Sequence, residues 1–303
     1  MCGLGFSRHC RRMKISFLIR AVSAIALAIL AGLAGCATGN MTGWSVPRRS
    51  LEDQVDLLRE HVEIRLPDNQ DTAVPAVIML HGCGGLRDVQ EAYAADLLDA
   101  GYAVLLVDSN RAREIDRFGA MTQVCTALRL WGQERAADIP AAIALARESS
   151  AIDADRLALI GWSHGGWTVL EALDYAAEGR SAPALLPTPA DPASTPLSGV
   201  RAAIALYPYC GFPVRADGRG FPRTIPLHII LAERDLVAPP GDCVRLFDRS
   251  EASGVAVDHE IWPGQTHAFD EPNGPPDPRI QYDADAADRA RARILVWLEE
   301  AFP

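Results

Sequence analysis

The sequence predicts an α/β domain in which helices cover both faces of a mostly parallel sheet, and three observations predict it. Apolar runs such as "PAVIMLHG" (75–82), "YAVLLVD" (102–108) and "RLALIGWS" (156–163) are uninterrupted, as strands buried on both faces must be. Stretches with apolar residues at helical spacing lie between them, so strand and helix alternate along the chain. Glycine-rich turns follow two of the strands, "HGCGG" at 81–85 and "GWSHGG" at 161–166, where strand gives way to helix.

The 303-residue chain opens on a segment of a different kind. Basic residues in "RRMKISFLIR" precede the apolar run "AVSAIALAILAGLAG", and "LAGC" closes it at Cys36. A charged start, an apolar run and small residues before a cleavage point read as a signal peptide over 1–35. "LAGC" resembles the bacterial lipobox, in which the cysteine is lipidated, so Cys36 is the expected lipidation site and the mature first residue. Met13 offers a more usual signal start than Met1, and an uncleaved membrane anchor is the alternative reading. Residues 36–53 read as a polar linker, and 54–303 as the folded domain.

Within the domain, "VEIRL" (62–66) alternates apolar and charged residues, as an edge or antiparallel strand does. Strands follow at 75–82, 102–108, 156–163, 200–208 and 226–235, with an alternating last one at 255–264. Helices are expected at "DVQEAYAADLLDAG", ending at Gly101, and at "ERAADIPAAIALARES", whose Pro140 either begins the core portion or kinks it. "HGGWTVLEALDYAAEG" and "ADAADRARARILVWLEEAF" complete the set, with a further helix beginning near Cys243. The irregular stretches 179–199 and 211–226 read as surface loops of one domain.

The net charge of −10 leaves no basic groove for phosphates and argues against nucleic-acid binding. Five basic residues and no acidic one precede Cys36, so the exported part is more acidic still. Association with an anionic membrane surface must then come from a lipid on Cys36. Four cysteines remain in the domain, Cys83, Cys125, Cys210 and Cys243. They allow three pairings or four buried thiols. Cys210 and Cys243 follow adjacent strands on the same side of the sheet, which favours that bridge, with Cys83–Cys125 as the second. No C-x-x-C and no His/Cys cluster with zinc-ligand spacing occurs, so no metal is expected.

The chemistry centres on Ser163 in "GWSHGG". A buried strand before it, a helix after it, and Gly161 and Gly165 on either side make the strand–turn–helix of a nucleophile elbow. A serine hydroxyl needs a base oriented by an acid. His61, His228 and His259 lie inside strands, and His81 and His164 are poorly placed to aim a ring at Ser163. His267 sits in the loop after the last strand and Asp235 in the loop after the strand before it, giving the chain order Ser, Asp, His. Asp242 and Asp270 are the alternative acids. "HGCGG" and the residue after the serine can supply oxyanion-hole N–H groups, from Cys83 and Gly84 on one side and His164 on the other.

Together, "HGCGG", "VDSNRARE", "GWSHGG", "YPYCG", "AERDLVAP" and "GQTHAF" resemble the dienelactone hydrolase family of α/β-hydrolases over most of the chain from Val62 to Pro303. The resemblance implies an α/β-hydrolase fold and cofactor-free hydrolysis of a small ester or lactone. Two departures stand out: the namesake enzymes carry a cysteine nucleophile and are cytoplasmic, whereas this chain has Ser163 and an export leader. The rival readings are a serine peptidase of the prolyl-oligopeptidase type and a catalytically idle envelope lipoprotein. Oligomeric state is not legible.

Overall fold

The structure is a computed structural model describing residues 46–68, 71–187 and 196–303. The leader, Cys36 and most of the linker lie outside the described residues. A seven-stranded sheet has the order β1-β3-β2-β4-β5-β6-β7. Its strands are β1 (Val62–Arg65), β2 (Val74–Leu80), β3 (Ala103–Val107), β4 (Ile152–Trp162), β5 (Val200–Leu206), β6 (Leu227–Ala232) and β7 (Asp258–Trp262). Among the described strands only β1 is antiparallel, pairing with β3 from the edge, where its alternating pattern suits one wet face. The other neighbours pair in parallel. The mostly parallel α/β architecture is therefore as the alternation predicts.

Among the described residues, six helices of nine residues or more cover the sheet: α1 (Leu51–Arg59), α2 (Asp88–Asp99), α3 (Asp138–Glu148), α4 (His164–Ala177), α5 (Pro240–Ala252) and α6 (Ala284–Ala301). Tyr93 and Leu97 of α2 and Ile294 and Trp297 of α6 form one apolar cluster with Val77, Met79 and Ile160. Side chains alternate along a strand, so Ile78 and Leu80, equally buried, face the other layer. Pro140 falls in the first turn of α3, where its missing N–H leaves no bond unmade.

Helix α1 is the main departure from the sequence reading, since its first turn occupies residues taken for the end of a linker. Ser50 caps it, accepting the Asp53 N–H while the Asp53 carboxylate accepts the Ser50 N–H. Its buried positions Val55 and Leu58 match the spacing of a packed helix face.

Both expected bridges are present. Cys83–Cys125 and Cys210–Cys243 each bring their Cα atoms to 5.0 Å. The first ties the turn after β2 to the segment between β3 and α3, and the second ties the loop after β5 to the first turn of α5. Parallel pairing sets the carboxyl ends of β2, β4, β5 and β6 along one edge, so the turn at 81–85, Ser163, Cys210 and Asp235 share that edge.

Candidate active site

Ser163 joins β4 to α4 with φ 51° and ψ −110°, a conformation a side-chain-bearing residue rarely adopts. The glycines beside it are required by close approach. A Cβ on Gly161 would lie 2.4 Å from the Gly165 carbonyl oxygen, and one on Gly165 would lie 1.9 Å from the Leu80 oxygen. The first turn of α4 therefore packs directly on the ends of β2 and β4, and the serine is held proud of the sheet. This is the sharp strand-to-helix turn that the sequence pattern anticipates.

His267 stands between Asp235 and Ser163. Its Nδ1 is 2.6 Å from Asp235 Oδ2 and its Nε2 is 2.8 Å from Ser163 Oγ. Asp235 is buried, and its Oδ1 accepts the N–H groups of Val237 at 2.8 Å and Ala238 at 2.7 Å. The carboxylate is thus fixed by its own loop, with one oxygen left for the imidazole. Tyr207, at the end of β5, packs its ring edge-on against His267 with centroids 4.9 Å apart.

The alternative acids lie elsewhere. Asp270 is buried beneath three donors: Tyr207 Oη at 2.5 Å, Tyr93 Oη at 2.8 Å and Trp162 Nε1 at 3.3 Å. Burial pushes its carboxyl up, while those hydrogen bonds work in the other direction. Asp242 pairs with Arg245 on the surface of α5. Among the other histidines, His228 bonds Asp258 and stacks on Trp297, and the His81 ring bonds the Gly82 carbonyl. The ring of His164 turns away from the serine toward Arg135.

The turn "HGCGG" faces Ser163 across a cavity of about 110 Å³. Within it the Gly85 N–H closes on the Gly82 oxygen, Asn110 Nδ2 donates to the Cys83 carbonyl at 3.0 Å, and Arg117 donates to the Gly84 carbonyl at 3.2 Å. With these carbonyls held by side chains, the peptide planes are fixed. Among the described residues, no protein acceptor takes the N–H of Cys83, Gly84 or His164. Those groups remain available to a ligand oxygen near Ser163.

The cavity walls are largely apolar, from Val89, Met121, Trp162, Tyr207, Pro275 and Ile280. Sequence reasoning missed Met121, from the single π-helical turn Ala120–Val124, and Pro275 and Ile280, from the irregular stretch after His267. Met121 belongs to the stretch after β3, which builds a small core of its own from Ile115, Ala120, Val124 and Leu130 and leans on Cys83. Cys125 in that stretch was the available signal, because its bridge places the segment against the turn. At the rim, Arg87 Nε pairs with Glu271 at 2.8 Å.

The family model for the dienelactone hydrolase family matches residues 62–187 and 190–302. No curated protein matches the sequence. Solved structures do. One, from Klebsiella pneumoniae subsp. pneumoniae MGH 78578 and assigned as a dienelactone hydrolase, aligns with a TM-score of 0.60 at 16% identity over 78% of this chain and 92% of its own. A dienelactone hydrolase-like promiscuous phosphotriesterase from metagenomic libraries aligns with a TM-score of 0.60 at 18% identity, over 80% and 92%. A protein of Bacteroides ovatus ATCC 8483, assigned as a dipeptidyl aminopeptidase IV, aligns with a TM-score of 0.56 at 14% identity over 80% of this chain but 33% of its own. At these identities the likeness is one of fold.

Proposed function

This chain belongs to the dienelactone hydrolase family, and from that premise we propose that it is a serine hydrolase cleaving small carboxylic esters or lactones through an acyl-enzyme on Ser163. The observation that carries the reading is the imidazole of His267 lying within hydrogen-bond reach of both Ser163 Oγ and Asp235. His267 Nε2 takes the Ser163 proton as Oγ attacks the ester carbonyl, and Asp235 holds the Nδ1 proton and stabilises the imidazolium that forms. The carbonyl oxygen becomes an anion held by the N–H groups of Cys83 and His164, with Gly84 adjacent and the positive end of α4 behind it. His267 then protonates the leaving alcohol, and water repeats the sequence in reverse to release the acid. No step calls for a metal or cofactor.

The site favours small, largely apolar acyl groups, since its walls are largely apolar and its volume modest. Secretion fits the two disulfides, which persist in oxidising compartments. We place the protein at the periplasmic face of a bacterial membrane, with a lipid on Cys36 as its anchor. A peptidase role has weaker support, because the aminopeptidase-type structure is matched over 33% of its length and the remainder has no counterpart in the match. An idle scaffold has no need of a strained serine at φ 51° facing an oriented imidazole.

The decisive experiment is turnover of p-nitrophenyl acetate by wild type and Ser163→Ala, with fluorophosphonate labelling mapped by peptide. Labelling at Ser163 and loss of turnover to within about 10³–10⁴-fold of the uncatalysed rate are expected, the residue being what an intact oxyanion hole supplies. Undiminished turnover in Ser163→Ala would overturn the mechanism.

A further inference from the structure

We propose that Arg135 is a positioning residue of this site: its guanidinium ties the turn bearing Cys83 to the elbow bearing His164 and so holds the two arms of the oxyanion hole in register. The proposal rests on the hydrolase reading above, which makes no use of Arg135.

Arg135 ends the short helical turn Gly132–Arg135 and is 1% exposed. Its Nη1 donates to the His81 carbonyl at 2.7 Å and reaches His164 Nδ1 at 3.2 Å. Nη1 carries two hydrogens, one for each acceptor. His81 follows β2 directly, two residues before Cys83, and His164 follows Ser163, so one nitrogen bridges the two peptide segments that face the oxyanion. Nε donates to Ser109 Oγ at 2.8 Å, fixing the plane of the fork. Burial and then Arg135 itself push His164 down to about 3, so its ring is neutral at neutral pH and Nδ1 can accept.

The short helical turn has little room to move. A Cβ on Gly132 would lie 2.4 Å from the Trp167 ring, and that ring meets His164 edge-on with centroids 5.2 Å apart. Arg135 is thereby seated against the first turn of α4.

Its charge is the unusual part. Asp138, one turn further on, is engaged by Arg113 at 2.7 Å and by Gln54 at 2.6 Å. Among the described residues no carboxylate forms an ion pair with Arg135, and Nη2 has no hydrogen-bond partner. Burial pushes the guanidinium down to about 10, which leaves it charged at neutral pH. Burying a cation without a direct counterion costs several kcal/mol, against which the fold has only its three hydrogen bonds. In the transition state a negative charge develops beside the segments it holds, and a fixed cation in a dry environment stabilises that charge without reorganising. The charge thus has a use in catalysis beside its three hydrogen bonds.

The test compares wild type, Arg135→Met and Arg135→Lys in the full chain, reading kcat, KM, Tm and the affinity for a trifluoromethyl ketone that mimics the tetrahedral oxyanion. Arg135→Met leaves three buried acceptors without their donor and should lower Tm while the chain still folds. Per folded enzyme KM should hold within about threefold, while kcat and analogue affinity fall together by about 100-fold, the effect of misplacing a catalytic group by about 1 Å. Arg135→Lys keeps the charge but loses the fork, so it should recover about tenfold of that loss. Arg135→Met with kcat and analogue affinity within about twofold of wild type would overturn the proposal, as would a loss of activity that tracks only the unfolded fraction. Should Arg135→Met fail to fold, Arg135→Lys decides: a folded lysine variant with wild-type kcat and analogue affinity refutes the bridge, and a joint loss in both supports it. Wild type that neither turns over p-nitrophenyl acetate nor reacts with a fluorophosphonate would overturn the hydrolase reading and this one with it.

Discussion

Replacing Asp235 by asparagine should damage catalysis almost as much as deleting the carboxylate, and the reason lies in two backbone amides. Oδ1 accepts the N–H groups of Val237 and Ala238 at 2.8 and 2.7 Å, while Oδ2 faces His267 Nδ1 at 2.6 Å. An asparagine that keeps the backbone bonds must put its oxygen at the Oδ1 position and its NH₂ against His267. The imidazole then accepts at Nδ1 and carries its proton on Nε2. There it donates to Ser163 Oγ instead of taking a proton from it. In Ser-His-Asp enzymes this wrong tautomer lowers kcat by about 10⁴, or about 5 kcal/mol at 1.36 kcal/mol per tenfold.

The side chain could escape by flipping, which would restore an acceptor to His267. That flip turns the amide NH₂ toward the Val237 and Ala238 N–H groups and leaves both without an acceptor, about 1–3 kcal/mol each and so about 2–6 kcal/mol together. The two routes are of similar height, so the expected fall in kcat is about 10³–10⁴. Tm should stay close to wild type, because the amide is isosteric and keeps the loop bonds. The assay is kcat for p-nitrophenyl acetate alongside thermal unfolding, with Asp235→Ala as reference. An Asp235→Asn enzyme within tenfold of wild type would refute the assignment of Asp235 as the orienting acid.

Three further outcomes are expected. The Cys210–Cys243 bridge spans 33 residues of chain, for which the chain-entropy relation gives about 3.7 kcal/mol, so Cys210→Ala with Cys243→Ala should lose about 2–4 kcal/mol in urea unfolding, and a loss under about 1 kcal/mol would count against a stabilising role. Burial pushes Glu171 up to about 7 from its ordinary 4.5. The folded state then binds that proton more tightly than the unfolded state, so the stability present below about 4.5 is lost as pH rises through about 7. Glu171→Gln should narrow the gap in Tm between pH 5 and pH 8, and an unchanged gap would show that Glu171 does not titrate in that window. Cys36→Ser should accumulate as an unlipidated precursor outside the membrane fraction, whereas processing and fractionation identical to wild type would reject the lipoprotein reading.

The sheet was legible because its inner strands are buried on both faces. Continuous runs such as "AVLLV" in β3 are too short for a buried helix and begin just after a glycine, which favours strand, and the alternation in "VEIR" marks β1 as the antiparallel edge. Helix α1 was not legible as such, since only Val55 and Leu58 among its apolar residues are buried and the capping box at Ser50 is a short-range signal in a polar stretch. The cavity walls were hidden for another reason. Met121, Pro275 and Ile280 lie in segments without period, and what brings Met121 to the site is a bridge between Cys83 and Cys125, 42 residues apart. Chain order could propose that bridge but could not show which wall it builds.

The two aspartates near the imidazole mark the limit of sequence reasoning most clearly. Asp235 follows β6 and Asp270 lies three residues beyond His267, and either could reach the imidazole in an extended sketch of the loop. What separates them is the set of donors each meets. Asp235 spends one oxygen on the backbone of its own loop, a local arrangement that "RDLVAP" can encode by itself. Asp270 is claimed by Tyr93, Trp162 and Tyr207, which come from α2, β4 and the end of β5. No local pattern announces that convergence. Yet it bears on the site, because Tyr207 is the ring packed against His267, and a carboxylate anchoring Tyr207 holds one wall of the imidazole in place. The imidazole is therefore braced from two sides, by Asp235 through Nδ1 and by Asp270 through Tyr207, and only the first of these is written in consecutive residues.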